Sequence, residues 1–307
     1  MRVVALAGGV RGAKFADGLA RALADDVLTI VVNVGDDFEH LGLRICPDLD
    51  TVTYTLAGVA NPETGWGIAG ETWNAIEMVG RYGGETWFRL GDRDLALHLF
   101  RTSELRRGKR LTEVMAQVCT ALGVKPVVLP ATDSHVPTIV ETDQGTLAFQ
   151  EYFVHRRCEP VVKRVRFDSV EAARPTDEVI AAIDAADLIV LCPSNPFVSV
   201  DPILALGDLR ERLKCKPVAA VSPIIGGQAV KGPAAKMLRE LGYESSSLSV
   251  AQHYADFLDL FVIDAVDANQ REAIEALGIR VLVTNTLMKT IEDRSRLARE
   301  VLDFARP

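Results

Sequence analysis

The sequence predicts an α/β fold: a doubly wound, mainly parallel sheet with a small antiparallel β addition. Three observations carry this. Short, continuous apolar runs recur at Val3–Ala7, Leu28–Val34, Leu188–Cys192, Val218–Val221 and Leu260–Ile263, the texture of strands buried on both faces. Helical patterns separate them, as in Phe15, Leu19, Ala22 and Leu23. Several runs end in a glycine-rich or polar loop, the place where an open parallel sheet puts its ligands. The expectation is therefore Rossmann-like. Residues 1–130 and 168–307 form the body, and 131–167 form a β-rich insertion.

The first loop, Gly8-Gly9-Val10-Arg11-Gly12-Ala13-Lys14, follows the first strand and opens a helix. Glycines let a backbone approach a phosphate closely, and a helix N-terminus offers unpaired N–H groups. Lys14 adds a charge in the first turn. The spacing is neither a dinucleotide fingerprint nor a P-loop. The alternative is a tight strand-to-helix turn with no ligand.

The second loop is acidic. Asp36, Asp37, Asp48 and Asp50 fall within fifteen positions, with Glu39 and His40 between them. Clustered carboxylates are costly unless they are solvated or hold a cation, and hard oxygen ligands beside a phosphate site point to magnesium. Alternatively, Asp48 or Asp50 caps a helix starting at Thr51.

Further along, Asn61–Gly70 is a Gly- and Pro-containing loop carrying Trp66. Glu71–Tyr82 is helical. Trp87-Phe88-Arg89 and Arg93 offer a wall for a planar ligand, or core with salt bridges. Asp92 caps the helix that follows, and Thr112 opens one that Gly123 closes. Val136–Glu141, the Asp143-Gln144-Gly145 turn and Thr146–Phe153 read as a hairpin, with Val161–Phe167 a further strand. His135 and His155 read as surface or hydrogen-bonding groups. Thr176 caps a helix, Pro202–Leu213 is helical, and Leu287–Phe304 is a long amphipathic terminal helix. Ser194-Asn195, Ser222 and Gly226-Gly227 end two strands and share one crevice with the first loop. Lys231 offers a second phosphate partner, and Pro233 suits the first turn of a helix.

Composition bounds the class. The chain has 307 residues, 48% hydrophobic and 25% charged, enough for a sizeable core. A net charge of −8 argues against nucleic acid as a partner. No apolar run is long enough to span a bilayer, and the N-terminus enters a strand with no signal-like segment, so the expected location is cytoplasmic. Cys46, Cys119, Cys158, Cys192 and Cys215 are widely spaced with no C-x-x-C pair and read as reduced thiols. No Ser/His/Asp set or cysteine nucleophile stands out. The residues alone point to a nucleotide or other phosphorylated ligand with a divalent cation, and to phosphoryl or nucleotidyl transfer, which needs mainly positioning and charge neutralisation.

The chain also resembles the 2-phospho-L-lactate transferase family of coenzyme F-420 biosynthesis. The resemblance rests on NVGDD at Asn33–Asp37, CPDLDT at Cys46–Thr51, GWGIAGETW at Gly65–Trp73, LGDRDLALHL at Leu90–Leu99 and FQEYFV at Phe149–Val154. PSNPFVSVDPIL at Pro193–Leu204 and SPIIGGQAVKGPAAKM at Ser222–Met237 extend it through the C-terminal half. One departure is Arg11, where the family usually has glycine. Either the loop relaxes or Arg11 supplies a new phosphate contact. The resemblance implies transfer of a phospholactyl or phosphoenolpyruvyl group from a guanosine diphosphate ester to the ribityl hydroxyl of 7,8-didemethyl-8-hydroxy-5-deazariboflavin, with GMP leaving. It implies Mg²⁺ held by Asp50 with Asp36 or Asp37, which also orient or deprotonate the attacking hydroxyl. It places Asp50 and Arg89 on the deazaflavin. It places Gly8, Gly9, Gly12, Lys14, Ser194, Asn195, Gly226, Gly227 and Lys231 around the nucleotide. A homodimer is a further implication. The competing reading is a nucleotide-sugar-binding regulator of a related family; an NAD-dependent oxidoreductase fits the glycine spacing poorly.

Overall fold

The computed structural model describes residues 1–23 and 27–306; residues 24–26 and 307, inside the range expected for the body, lie outside the described residues. Seven parallel strands form the central sheet: β1 (Arg2–Ala7), β2 (Val27–Val32), β3 (Val127–Pro130), β4 (Leu188–Leu191), β5 (Val218–Val221), β6 (Leu260–Asp264) and β7 (Arg280–Thr284). Their spatial order is β7-β6-β5-β4-β1-β2-β3. This is the strand order of dinucleotide-binding folds with one strand added. Chain direction across the sheet reverses between β1 and β4, and a crevice opens there.

Burial explains the apolar runs. Along β1, Val3, Ala5 and Ala7 belong to the core on one face, and Val4 and Leu6 to the core on the other. Both faces are covered, so neither carries polar side chains. The first core is completed by α1 (Gly9–Ala22), α2 (Pro47–Leu56) and the terminal helix Ile291–Ala305. Among their apolar positions, Phe15, Leu19, Leu49, Val52 and Leu297 are fully buried. The antiparallel addition is a three-stranded sheet of Thr138–Thr142, Gly145–Ala148 and Val162–Phe167. Its Val140, Tyr152 and Val162 join the second core, so the insertion packs as part of the body.

Local expectations needed correction in four places. The hairpin's second arm stops at Ala148, and Glu151–His155 is a single wide helical turn. Tyr152, on that turn, is fully buried. The segment expected as one helix over Pro202–Leu213 is two short ones, Asp201–Leu204 and Leu209–Leu213, with Gly207 in a left-handed conformation between them. The acidic loop contains a small hairpin, Phe38–His40 with Leu43–Ile45, turned by Leu41 and Gly42 at φ 53° and 71°. Helix α2 starts at Pro47, so Asp48 and Asp50 lie in its first turn and neither caps it.

Two helices cap one another. Asp92 accepts the N–H groups of Asn74 and Ala75 at the start of α3 (Asn74–Arg81). Glu71 accepts those of Arg93 and Asp94 at the start of α4 (Asp92–Arg106). Asp92 is thus a cap, but of α3; Gly91 takes the cap position of α4. The exchange fixes α4 against the loop that carries Trp66 and Trp73.

Candidate active site

A cavity of about 430 Å³ opens at the carboxyl ends of β1 and β4. Its floor carries Asp36, Asp48 and Asp50; Trp87, Phe88, Phe149 and Phe153 form an aromatic wall; Arg11 and Lys231 line it from the start of α1 and from the loop before Pro233.

Ser194 ties the switch point together. Its Oγ donates to Gly8 O at 2.8 Å and accepts from Gly8 N at 3.3 Å. Gly8 and Gly12 are glycines because space is short: a Cβ on Gly8 would lie 2.6 Å from Asp48 Oδ2, and one on Gly12 2.6 Å from Ser194 Oγ. Gly12 thereby lets α1 pack on the β4 loop and contacts no cavity space, so its expected place against a nucleotide is corrected to a packing role. The N-terminus of α1 is partly taken up from within the fold: Gly9 N donates to Asp48 Oδ1 at 2.7 Å.

Asp48 and Asp36 share one donor. Asn33 Nδ2 donates to Asp36 Oδ1 at 3.0 Å and to Asp48 Oδ2 at 2.9 Å, and also faces Val198 O at 3.0 Å. One amide offers two protons to these three acceptors; Gly9 N serves the other oxygen of Asp48, and Gln150 Nε2 the other oxygen of Asp36 at 3.5 Å. Burial pushes Asp48 up to about 6. Asp36 goes well above the carboxylate range through burial, then through the charge of Asp48. Two such groups call for a shared proton or a cation.

Asp50 has a different partner. Arg101, fully buried on α4, holds both its oxygens in a two-pronged ion pair. Burial raises the Asp50 carboxyl and Arg101 pulls it back. His98 Nδ1 lies 3.7 Å from Asp50, and His98 Nε2 lies 3.4 Å from Asp94. Tyr54 Oη donates to Asp94 at 2.6 Å. Ligand atoms of Asp50, Asp94 and His98 all lie within 4.8 Å of one another. A cation there would face the Arg101 guanidinium, which already pairs with Asp50.

Three expected placements are corrected. Asp37 turns away from the cavity wall and pairs with Arg44 at 3.2 Å, so it does not join Asp36 and Asp50 in one ligand set. Gly226 and Gly227 form a tight turn at φ 56° and 74°, and Gly226 N is taken by the Asp267 carboxylate at 3.0 Å. Both lie outside the cavity wall. Lys14 lies behind the wall beside Arg294, Lys231 and Arg11, its ammonium lowered first by burial and then by those cations. Gly8, Gly9, Ser194, Asn195, Lys231, Asp36, Asp50 and Arg89 do line the cavity. Lys231 Nζ also donates to Thr64 O at 2.5 Å, joining the loop of Trp66 to the C-terminal half. Arg89 lies over the Trp73 ring, 4.2 Å from its centroid. His155 is not a bare surface group; it stacks on Trp87 at 5.2 Å and 12°.

A family model described as 2-phospho-L-lactate transferase CofD matches residues 3–288. The chain belongs to this family. Among CofD-type relatives, it is 42% identical to a phosphoenolpyruvate transferase of Streptomyces griseus, over 99% of this chain and 98% of that one. It is 38% identical to a 2-phospho-L-lactate transferase of Methanocaldococcus jannaschii, over 98% and 97% of the two chains. In fold it resembles a crystal structure of a UPF0052 family member from Bacillus halodurans, with a TM-score of 0.68 and 17% identity over 98% and 99% of the two chains. That likeness concerns architecture, and the regulator reading draws no support from it.

Sequence reasoning passed over Asp94, His98 and Arg101 as site residues. A signal was present: they recur at i, i+4 and i+7 on α4, and all three are buried polar groups on one helix face. Asn33 stands three residues before Asp36 in the NVGDD stretch and donates to it at 3.0 Å, whereas Gln150 carried no local signal and reaches Asp36 across the fold at 3.5 Å.

Proposed function

We propose that this chain transfers a phospholactyl or phosphoenolpyruvyl group from a guanosine diphosphate ester to 7,8-didemethyl-8-hydroxy-5-deazariboflavin, releasing GMP, in the biosynthesis of coenzyme F-420. The observation that supports it is the make-up of the cavity, in which an aromatic wall and an acidic floor share one space with Arg11 and Lys231. A planar tricycle suits the wall, and a diphosphate suits the cations.

The new bond joins the ribityl oxygen to the phosphorus that carries the lactyl or enolpyruvyl group. The bridging P–O bond breaks, and its oxygen leaves with GMP. Asp50 is the proton acceptor in this reading: it lines the cavity, burial raises its carboxyl, and Arg101 fixes its orientation. Arg89, braced on Trp73, holds the deazaflavin. Asp36 and Asp48 fit Mg²⁺ better than Asp37 or Asp50, because they share one donor, are buried and line the cavity, whereas Asp37 pairs with Arg44 and Asp50 with Arg101. Two carboxylates plus phosphate oxygens are an ordinary magnesium set. When bound, the ion would neutralise diphosphate charge and polarise the phosphorus.

The test is GMP release from each of the two donors with the deazaflavin, with and without Mg²⁺. Release that requires both the deazaflavin and one donor supports the reading. Tight binding of a nucleotide-sugar, with neither turnover nor deazaflavin affinity, overturns it.

A further inference from the structure

Arg11 stands where α1 meets the crevice, and its guanidinium is only half used. Nη1 donates to Pro223 O at 2.7 Å. Nη2 is buried and has no hydrogen-bond partner among the described residues. A charged donor left without a partner is expensive. Asp264, whose charge supports Arg11, gives its oxygens to Val266 N at 3.2 Å and to Thr286 N and Oγ1 at 2.8 and 3.0 Å. Burial lowers the guanidinium to about 10, so Asp264 does not offset the cost.

Two more cations stand close by. Lys14 feels the charge of both Arg11 and Lys231. Arg294 is paired with Asp17 at 3.0 Å, but Lys231 is bound only to a carbonyl oxygen. Two amides of the glycine loop are already taken, Gly9 N by Asp48 and Gly8 N by Ser194. An anion entering here meets side-chain cations beside the N–H groups that remain in the first turn of α1.

We propose that Arg11 Nη2 receives a phosphate oxygen of the nucleotide donor, with Lys231 and Lys14 supplying the supporting charge. Pro223 O holds Nη1, and Arg11 lines the cavity. Arg11 is then a substrate-binding residue for the diphosphate. This rests on the guanosine diphosphate reading of the site.

The test is calorimetry of GDP and of guanosine on the full chain with Mg²⁺. Arg11→Gln keeps a donor for Pro223 O and removes the charge. Loss of one charged hydrogen bond predicts GDP binding weaker by about tenfold or more. Guanosine binding stays within about twofold, since it lacks phosphate. High salt narrows the gap between wild type and variant. Arg11→Lys recovers part of the loss. Deazaflavin fluorescence titration, unchanged in both variants, reports an intact fold. GDP binding by Arg11→Gln within twofold of wild type overturns the proposal, as does equal loss of GDP and guanosine. Failure of the wild type itself to bind GDP overturns the donor reading first and this inference with it.

Discussion

Asp48 Oδ1 accepts the backbone N–H of Gly9 at 2.7 Å. A carboxylate from the second helix thus takes the first amide of the first. The same side chain, through Oδ2, shares Asn33 with Asp36. Asp48 therefore links the start of α1 to the acidic pair.

Asp48→Asn tests this link. Its amide oxygen can still accept from Gly9, so the fold should hold, while one negative charge leaves the pair. The Mg²⁺ concentration that half-saturates GMP release should rise at least about tenfold, the usual scale for altering a metal site's ligand shell. Asp37→Asn, beside Arg44, should leave that midpoint unchanged. Equal shifts in both variants would return Asp37 to the ligand set.

Stability should fall as pH rises toward neutrality in the absence of metal. The Asp48 carboxyl titrates near 6 in the fold, against an ordinary value of 3.8. Below the lower value it is protonated in both states and costs nothing. Between the two, the native state holds more protons than the unfolded chain, so stability decreases with pH. The full shift is worth roughly 3 kcal/mol. Urea unfolding at pH 5 and 7 should show the drop, and Mg²⁺ should restore more stability at pH 7 than at pH 5, because it binds the ionised pair. A metal-free protein more stable at pH 7 would contradict this.

Arg101→Met should be among the most destabilising substitutions in the chain. Arg101 is fully buried and holds both oxygens of Asp50. Its loss leaves a buried carboxylate facing only His98, an arrangement that costs about 3–5 kcal/mol. Denaturant unfolding measures it. The double variant Arg101→Met with Asp50→Asn should recover much of the loss while turnover stays absent.

Trp73→Leu should loosen the deazaflavin without touching chemistry. The Arg89 guanidinium lies 4.2 Å from the centre of the indole. Removing a cation–π contact of about 0.5–1 kcal/mol leaves Arg89 free to swing, so KM for the deazaflavin should rise two- to fivefold with kcat nearly constant. A fall in kcat alone would show that Arg89 acts in the transition state.

Much of this was legible locally. Continuous apolar runs ending in glycine or acid marked the strands and the edge where ligands bind. The motif set from Asn33 to Met237 marked the family. Asp36 could be named from its place after a strand and Arg89 from its aromatic neighbours, while Asp50 came with the CPDLDT stretch and the resemblance it carries. Asp37 misled because it is adjacent to Asp36 in sequence. The turn closed by Asp37 N on Val34 O puts Asp36 on the cavity and Asp37 on Arg44. Gly226 and Gly227 misled because a turn and a phosphate cradle use the same residue type.

The sequence by itself determined the sheet, its alternation with helices and the chemical classes gathered at its carboxyl edge, since these follow from hydrophobic period and turn chemistry within a few residues. Only the tertiary structure decided which carboxylates are partners. Asp48 meets Gly9 and Asn33, Asp50 meets Arg101, and Arg11 meets Pro223, across separations of 15 to 212 residues. Those pairings depend on where strand order reverses between β1 and β4, and no local pattern encodes that reversal. It comes from how the strands pack as one sheet.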